Sequence, residues 1–192
     1  MSGTDPLCIL ENEHRVIERV LDAIEAILAR RGERPFSREF FDAALDFITN
    51  FADRWHHCKE EDRLFPMLEE SGIPRHGGPI GCMLSEHEIG RAHVAAIRGT
   101  LDAAERGDAD AIATVYGEAA GYCELLREHI QKEDLVLFRM ARQVLTPDDT
   151  RRLEAQFAEA ERAQAGRPGP DHHRALADRL LAAARQRVEV TP

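Results

Sequence analysis

One ten-residue pattern occurs twice in this chain of 192 residues, and it limits the possible folds more than any other feature. His56-His57-Cys58-Lys59-Glu60-Glu61-Asp62-Arg63-Leu64-Phe65 and His129-Ile130-Gln131-Lys132-Glu133-Asp134-Leu135-Val136-Leu137-Phe138 share the form H-x-x-K-E-[ED]-x-x-L-F. On a helix, a histidine and a glutamate one turn apart project the same way. Two such helices facing each other bring two imidazoles and two carboxylates together.

The flanking sequence is helical in period. Leu7, Leu10, His14, Ile17, Leu21, Ile24 and Leu28 alternate in steps of three and four, which predicts a first helix capped by Asp5-Pro6 and ended by Arg31-Gly32. Ser37 caps a second helix to about Phe65, and the loop from Ser71 to Pro79 follows. A third helix spans roughly Cys82 to Glu105, with Met83, His87, Gly90, Val94, Ile97 and Leu101 on one face. A fourth runs from about Ala109 to Val144 along Ile112, Val115, Ala119, Tyr122, Leu126, His129, Glu133, Val136 and Met140. Four long helices with short links predict an all-α, up-down-up-down four-helix bundle over residues 1–145.

Residues 146–192 form a C-terminal extension. Thr146-Pro147 opens a fifth helix to about Ala163, and a Gly/Pro linker at 166–170 leads to a polar, helical tail expected at the periphery.

His14 and His87 interrupt the apolar stripes of the first and third helices, so all four helices point ligands inward. The candidate metal ligands are His14, His56, Glu60, His87, His129 and Glu133. Imidazole with carboxylate suits iron, manganese or zinc, and carboxylates able to bridge favour two ions. A single histidine in an apolar stripe is commonly a hydrogen-bonded core residue, and a single H-x-x-x-E is commonly a surface pair. Two matching copies with a histidine on each remaining stripe favour metal, because two unpaired buried carboxylates would cost several kcal/mol.

A helical wheel places His56 and Glu60 beside Phe41, Leu45 and Ala52, and turns His57 and Glu61 toward Asp46, Asn50 and Arg54. His57 and Glu61 are therefore expected in solvent or behind the ligands. His93 is expected at the core edge, and His76, His172 and His173 at the surface. Lys59 and Lys132 are expected to pack their stems and solvate their ends. Cys8, Cys58, Cys82 and Cys123 lack C-x-x-C spacing and are expected to be small buried side chains.

The formal net charge of -10 disfavours nucleic acid and anionic lipid as partners. No apolar run approaches the roughly 20 residues that span a bilayer, and Met1 to Leu10 does not read as a secretory signal. A cytoplasmic location is the expectation, with a protein partner or a homo-oligomer compatible with the extension.

From Leu7 to Val144 the sequence resembles the hemerythrin-like HHE cation-binding family. The resemblance rests on Glu13-His14, then His56 to Phe65 followed by Pro66, then Ser85-Glu86-His87-Glu88 with Gly90-Arg91, then His129 to Phe138. It implies two iron ions bridged by carboxylates and by an oxo or hydroxo group. Oxygen-carrying hemerythrins place another histidine one turn after the third-helix ligand. Arg91 holds that position here, which implies an open coordination position instead of simple oxygen carriage, unless Glu88, His93, Tyr122 or another group moves into the vacancy. The four-histidine, two-glutamate set is similar to bacterial proteins that respond to nitric oxide and oxidative stress. The expected function is binding or reducing O2, peroxide or nitric oxide in sensing, stress defence or iron handling. The alternatives are a redox- or iron-responsive module read by a protein partner, and a metal-free bundle. No separate acid–base residue identifies an enzyme.

Overall fold

The computed structural model describes residues 5–186. Among them the chain forms helical rods and no β-strand. Asp5 accepts a hydrogen bond from the Leu7 amide and caps α1 (Pro6–Leu28). Ser37 caps α2 (Arg38–Phe47), which continues without a break through wide turns at Ile48–His57 and Glu60–Leu64 into α3 (Phe65–Glu70). α4 (Pro79–Glu105) reverses at Gly107, whose φ of 86° suits glycine, and Asp108 caps α5 (Ala109–Lys132). A third wide turn, Glu133–Leu137, joins α5 to α6 (Phe138–Val144). These four rods form the hemerythrin-like bundle. A Thr146/Asp149 capping box opens α7 (Pro147–Ala163), and α8 (Pro170–Arg185) follows.

The apolar core falls into two clusters along the bundle. One holds Val16, Ile17, Phe41, Phe51, Trp55, Ile97 and Leu126; the other holds Leu10, Leu64, Phe65, Met83, Leu137, Phe138 and Phe157. Every rod passes from one cluster to the other through its histidines. The polar residues therefore occupy a layer walled by hydrocarbon on both sides, with its histidines, Glu60 and Glu133 buried.

The tail is less peripheral than its composition predicts. Leu176, Ala177, Leu180 and Ala184 of α8 belong to the first cluster, and α8 lies along α1 and α2. His173 is buried too: its ring lies 5.4 Å from that of Phe51, and Nδ1 is 3.0 Å from the Gly169 carbonyl. The polar residues of α8 mark its outer face, while its spaced leucines and alanines carry the packing. Among the four free cysteines, Cys123 is buried, Cys8 and Cys58 are half-buried and Cys82 is exposed, so the expectation of burial fails at Cys82.

Candidate metal centre

The polar layer repeats one arrangement in two halves. In each, an acidic residue directly precedes a histidine on one rod and meets a copy of the ten-residue pattern on another. Glu13 Oε2 lies 3.0 Å from His56 Nδ1, and Glu13 also pairs with Lys59. Glu86 repeats the arrangement, 3.0 Å from His129 Nδ1 and paired with Lys132. The acid after each glutamate reaches back the other way: Glu61 Oε1 is 2.6 Å from His87 Nδ1, and Asp134 Oδ1 is 2.7 Å from His14 Nδ1. The whole pattern thereby acquires a reason. Its lysine neutralises the carboxylate that holds its histidine, and its second acid holds the histidine of a neighbouring rod.

Each of these four imidazoles donates Nδ1–H to a carboxylate, which leaves a lone pair on Nε2. Those lone pairs face one another or carboxylate oxygens. His14 Nε2 lies 3.1 Å from Glu133 Oε2 without hydrogen-bond geometry, and His56 Nε2 lies 3.4 Å from Glu60 Oε1. His87 Nε2 and His129 Nε2 face each other at 3.1 Å. Both carboxylate oxygens of Glu60 and of Glu133 are buried without a hydrogen-bond partner. Acceptors turned on acceptors in a buried layer repel unless protons or metal cations lie between them, and the donor set fits metal ions.

The donors fall into two groups, each with ligand atoms within 4.8 Å of one another: His14, His56, Glu60 and Glu133, and His57, Glu60, His87 and His129. Glu60 is common to both. Its Oε1 faces His56 while its Oε2 lies 3.7 Å from His87 Nε2. Glu133 Oε2 lies near His14 on one side and 3.3 Å from His129 Nε2 on the other.

His57 corrects the wheel. It is buried, its ring stacks 3.7 Å from that of His87, and neither ring nitrogen has a hydrogen-bond partner. The cause is the wide turn over Ile48–His57. When backbone bonds close over five residues instead of four, neighbouring residues are separated by a smaller rotation, and adjacent histidines can both face inward. Two further wide turns start at Glu60 and Glu133 themselves, with the amides of Phe65 and Phe138 bonding back to the carbonyls of Glu60 and Glu133. Glu61 is half-buried behind His87, in keeping with its expected place.

Arg91 leaves no simple gap. Its guanidinium binds Asp53 at 2.9 Å and Glu61 at 2.7 Å, so it steadies the acid that holds His87 and another beside His57. Lys59 is a second correction: its end is buried against Glu13, with Trp55 and Phe157 around it, whereas Lys132 keeps the expected partly solvated end. His93 sits at the core edge beside Glu118, as expected, and His76 and His172 are exposed.

Without metal, protons take the place of cations in the layer. Burial and the charge of Glu133 push Glu60 well above the usual carboxylate range. Burial opposes ionisation of Glu133, but His129 and His14 outweigh it and hold its pKa low. Burial keeps His56 and His57 neutral well below their ordinary value. At His129 burial is outweighed by Glu133 and Glu86, and the pKa rises to about 9. The hydrogen bond from His129 in turn lowers Glu86 to about 2.

Comparison with known proteins supplies the deciding observation: the hemerythrin HHE cation binding domain matches residues 5–141. The chain belongs to the hemerythrin HHE cation-binding family. This hemerythrin-like chain is 25% identical over 166 residues to an uncharacterized protein of Mycobacterium tuberculosis and to one of Mycobacterium bovis. Each match covers 83% of the chain and 62% of the relative, so the chain spans less than two thirds of these relatives' length. No solved structure matches it significantly. Cation binding follows from family and donor set together. No helix among the described residues is long and apolar enough to cross a membrane.

Proposed function

We propose that the layer holds two non-haem iron ions and that the protein binds or reduces small oxidants, namely O2, peroxide or nitric oxide, in sensing, stress defence or iron handling within the cytoplasm. The observation that carries this reading is the pair of buried donor groups sharing Glu60. His14 and His56 would hold one ion; His87, His129 and His57 would hold the other; Glu60 and Glu133 would bridge them. Zinc and manganese suit the same donors, and iron is preferred because it adds the redox change that this chemistry requires. The protein supplies fixed imidazole tautomers through Glu13, Glu61, Glu86 and Asp134, and a water-poor layer between two apolar clusters. His57 in place of a third-helix histidine gives the two ions unequal imidazole counts, two against three.

The test is metal analysis of natively produced protein, with an anaerobic spectrum before and after O2, peroxide and nitric oxide. Two irons per chain and an optical change with at least one oxidant are expected. Substoichiometric iron with no spectral change would end the reading.

A second reading, a redox- or iron-responsive module read by a protein partner, is favoured by one contact. Glu161 of α7 lies 3.4 Å from Lys59, which pairs with the carboxylate that holds His56. Through this chain the C-terminal helices touch the support of the centre. Amide hydrogen exchange in α7 that is identical in metal-loaded and metal-free protein would remove it.

A further inference from the structure

A cavity of about 210 Å³ opens beside the second donor group. Its inner wall is His57, His87, His129 and Tyr122, and its sides are Ile48, Gly90, Val94 and Leu126. The opening is toward Ala95 and Arg98, the exposed residues of the lining. At about 30 Å³ for each water-sized group, the space takes about seven such groups. O2, nitric oxide and hydrogen peroxide each need far less.

Two features suggest a chamber shaped for an organic molecule. Gly90 lies inside α4, where glycine costs about 1 kcal/mol relative to alanine. A Cβ there would meet Tyr122 Cε2 at 3.5 Å and Leu126 Cδ2 at 3.6 Å, so any longer side chain would extend along those walls. Tyr122 is 2% exposed and its hydroxyl has no hydrogen-bond partner. A buried hydroxyl without a partner costs stability, and an oxygen-bearing ligand in the chamber would satisfy it. The acids of the lining are already committed, Asp53 to Arg91 and Glu86 to Lys132 and His129.

We infer that this chamber is a binding site for a small organic hydroperoxide, its apolar body along Gly90, Val94 and Leu126 and its oxygens at the Tyr122 hydroxyl beside the three histidines. The inference rests on the di-iron reading and narrows its oxidant class. Reduction of such a substrate would break its O–O bond, with two ferrous ions, if held by the two donor groups, supplying two electrons and becoming ferric, two protons consumed, and one alcohol and one water formed. Tyr122 donates a hydrogen bond that positions the substrate.

The test uses 1-hexanol, an unreactive analogue of the product, titrated into full-length zinc-loaded protein by calorimetry and by NMR. Saturable one-to-one binding is expected, with shifts centred on Gly90 and Tyr122. Gly90→Leu should abolish it, with Val94→Phe as a second filling variant should the first fail to fold. Tyr122→Phe should weaken it about 2- to 10-fold, the value of one net hydrogen bond. In protein shown by metal analysis to hold two ferrous ions, 1-hexanol should compete with tert-butyl hydroperoxide as oxidant. No saturable binding to folded wild-type protein, binding indifferent to both filling variants, or absence of competition overturns the inference. Metal content measured on the same samples separates the two claims: protein without two metals fails the di-iron reading, while the hexanol titration still decides the chamber.

Discussion

The two copies of the ten-residue pattern differ little in sequence and greatly in surroundings. Lys132 leaves 40% of its side chain in solvent, whereas Lys59 leaves 2%, because α7 covers the first copy and brings Phe157 and Glu161 over it. Glu60 is pushed up by burial and by Glu133, while Glu133 is held low by His129 and His14. The first copy also carries His57, delivered inward by a wide turn that the second copy lacks ahead of its histidine. A shared motif thus fixes which atoms face the layer, and the covering helices fix how deeply each half is buried and how many imidazoles it offers.

The comparison breaks first at the carboxylates that span it. Glu60→Ala and Glu133→Ala should each reduce loading from two ions to one or none by metal analysis, since each carboxylate borders donors of both ions. If both variants keep two ions, the carboxylates do not bridge. His57→Ala should weaken one ion at least about 10- to 100-fold in competition with a chelator and leave the other in place, since loss of even a group that only supports a ligand costs that much. Equal weakening of both ions would contradict the unequal halves.

The lysines sharpen the contrast through stability. Lys59→Met strands the buried Glu13 carboxylate and should cost about 3 kcal/mol in urea unfolding, whereas Lys132→Met should cost under about 1 kcal/mol at its half-exposed site. Equal losses would mean that burial does not separate the copies.

The last contrast is in acid. Glu86 ionises at about 2 in the folded protein against an ordinary value of 4.5, so its contribution is present above 4.5 and lost as pH falls toward 2. Glu13 shifts the opposite way, raised chiefly by burial, so its protonation on acidification relieves a penalty. Metal-free Glu86→Gln should therefore unfold with a shallower acid dependence than wild type below pH 4.5, by up to about 1.4 kcal/mol per pH unit, and Glu13→Gln with a steeper one above pH 4.5. Parallel acid profiles for the two variants would sink the assignment.

Much of this was legible in the sequence because long helices repeat a simple period. The caps at Asp5, Ser37 and Thr146, the four rods and the helical extension follow from it, and the six candidate ligands face the layer as the stripes require. What the period could not give is what departs from it. His57 was misplaced because the wheel assumes a constant rotation that the turn at Ile48–His57 breaks. Lys59 was misplaced because the helix covering it lies about a hundred residues later in sequence, beyond any local pattern. The Glu-His pairs at Glu13-His14 and Glu86-His87 were a readable signal: an acid beside each lone histidine, matched to a lysine in each repeat, is what two interlocked halves demand.

Iron-edge anomalous diffraction from crystals of iron-loaded protein tests the central claim most directly. Two peaks should appear in the layer, one beside His14 and His56 and one beside His57, His87 and His129, with Glu60 and Glu133 between them. A single peak, or iron bound only outside the layer, would contradict it.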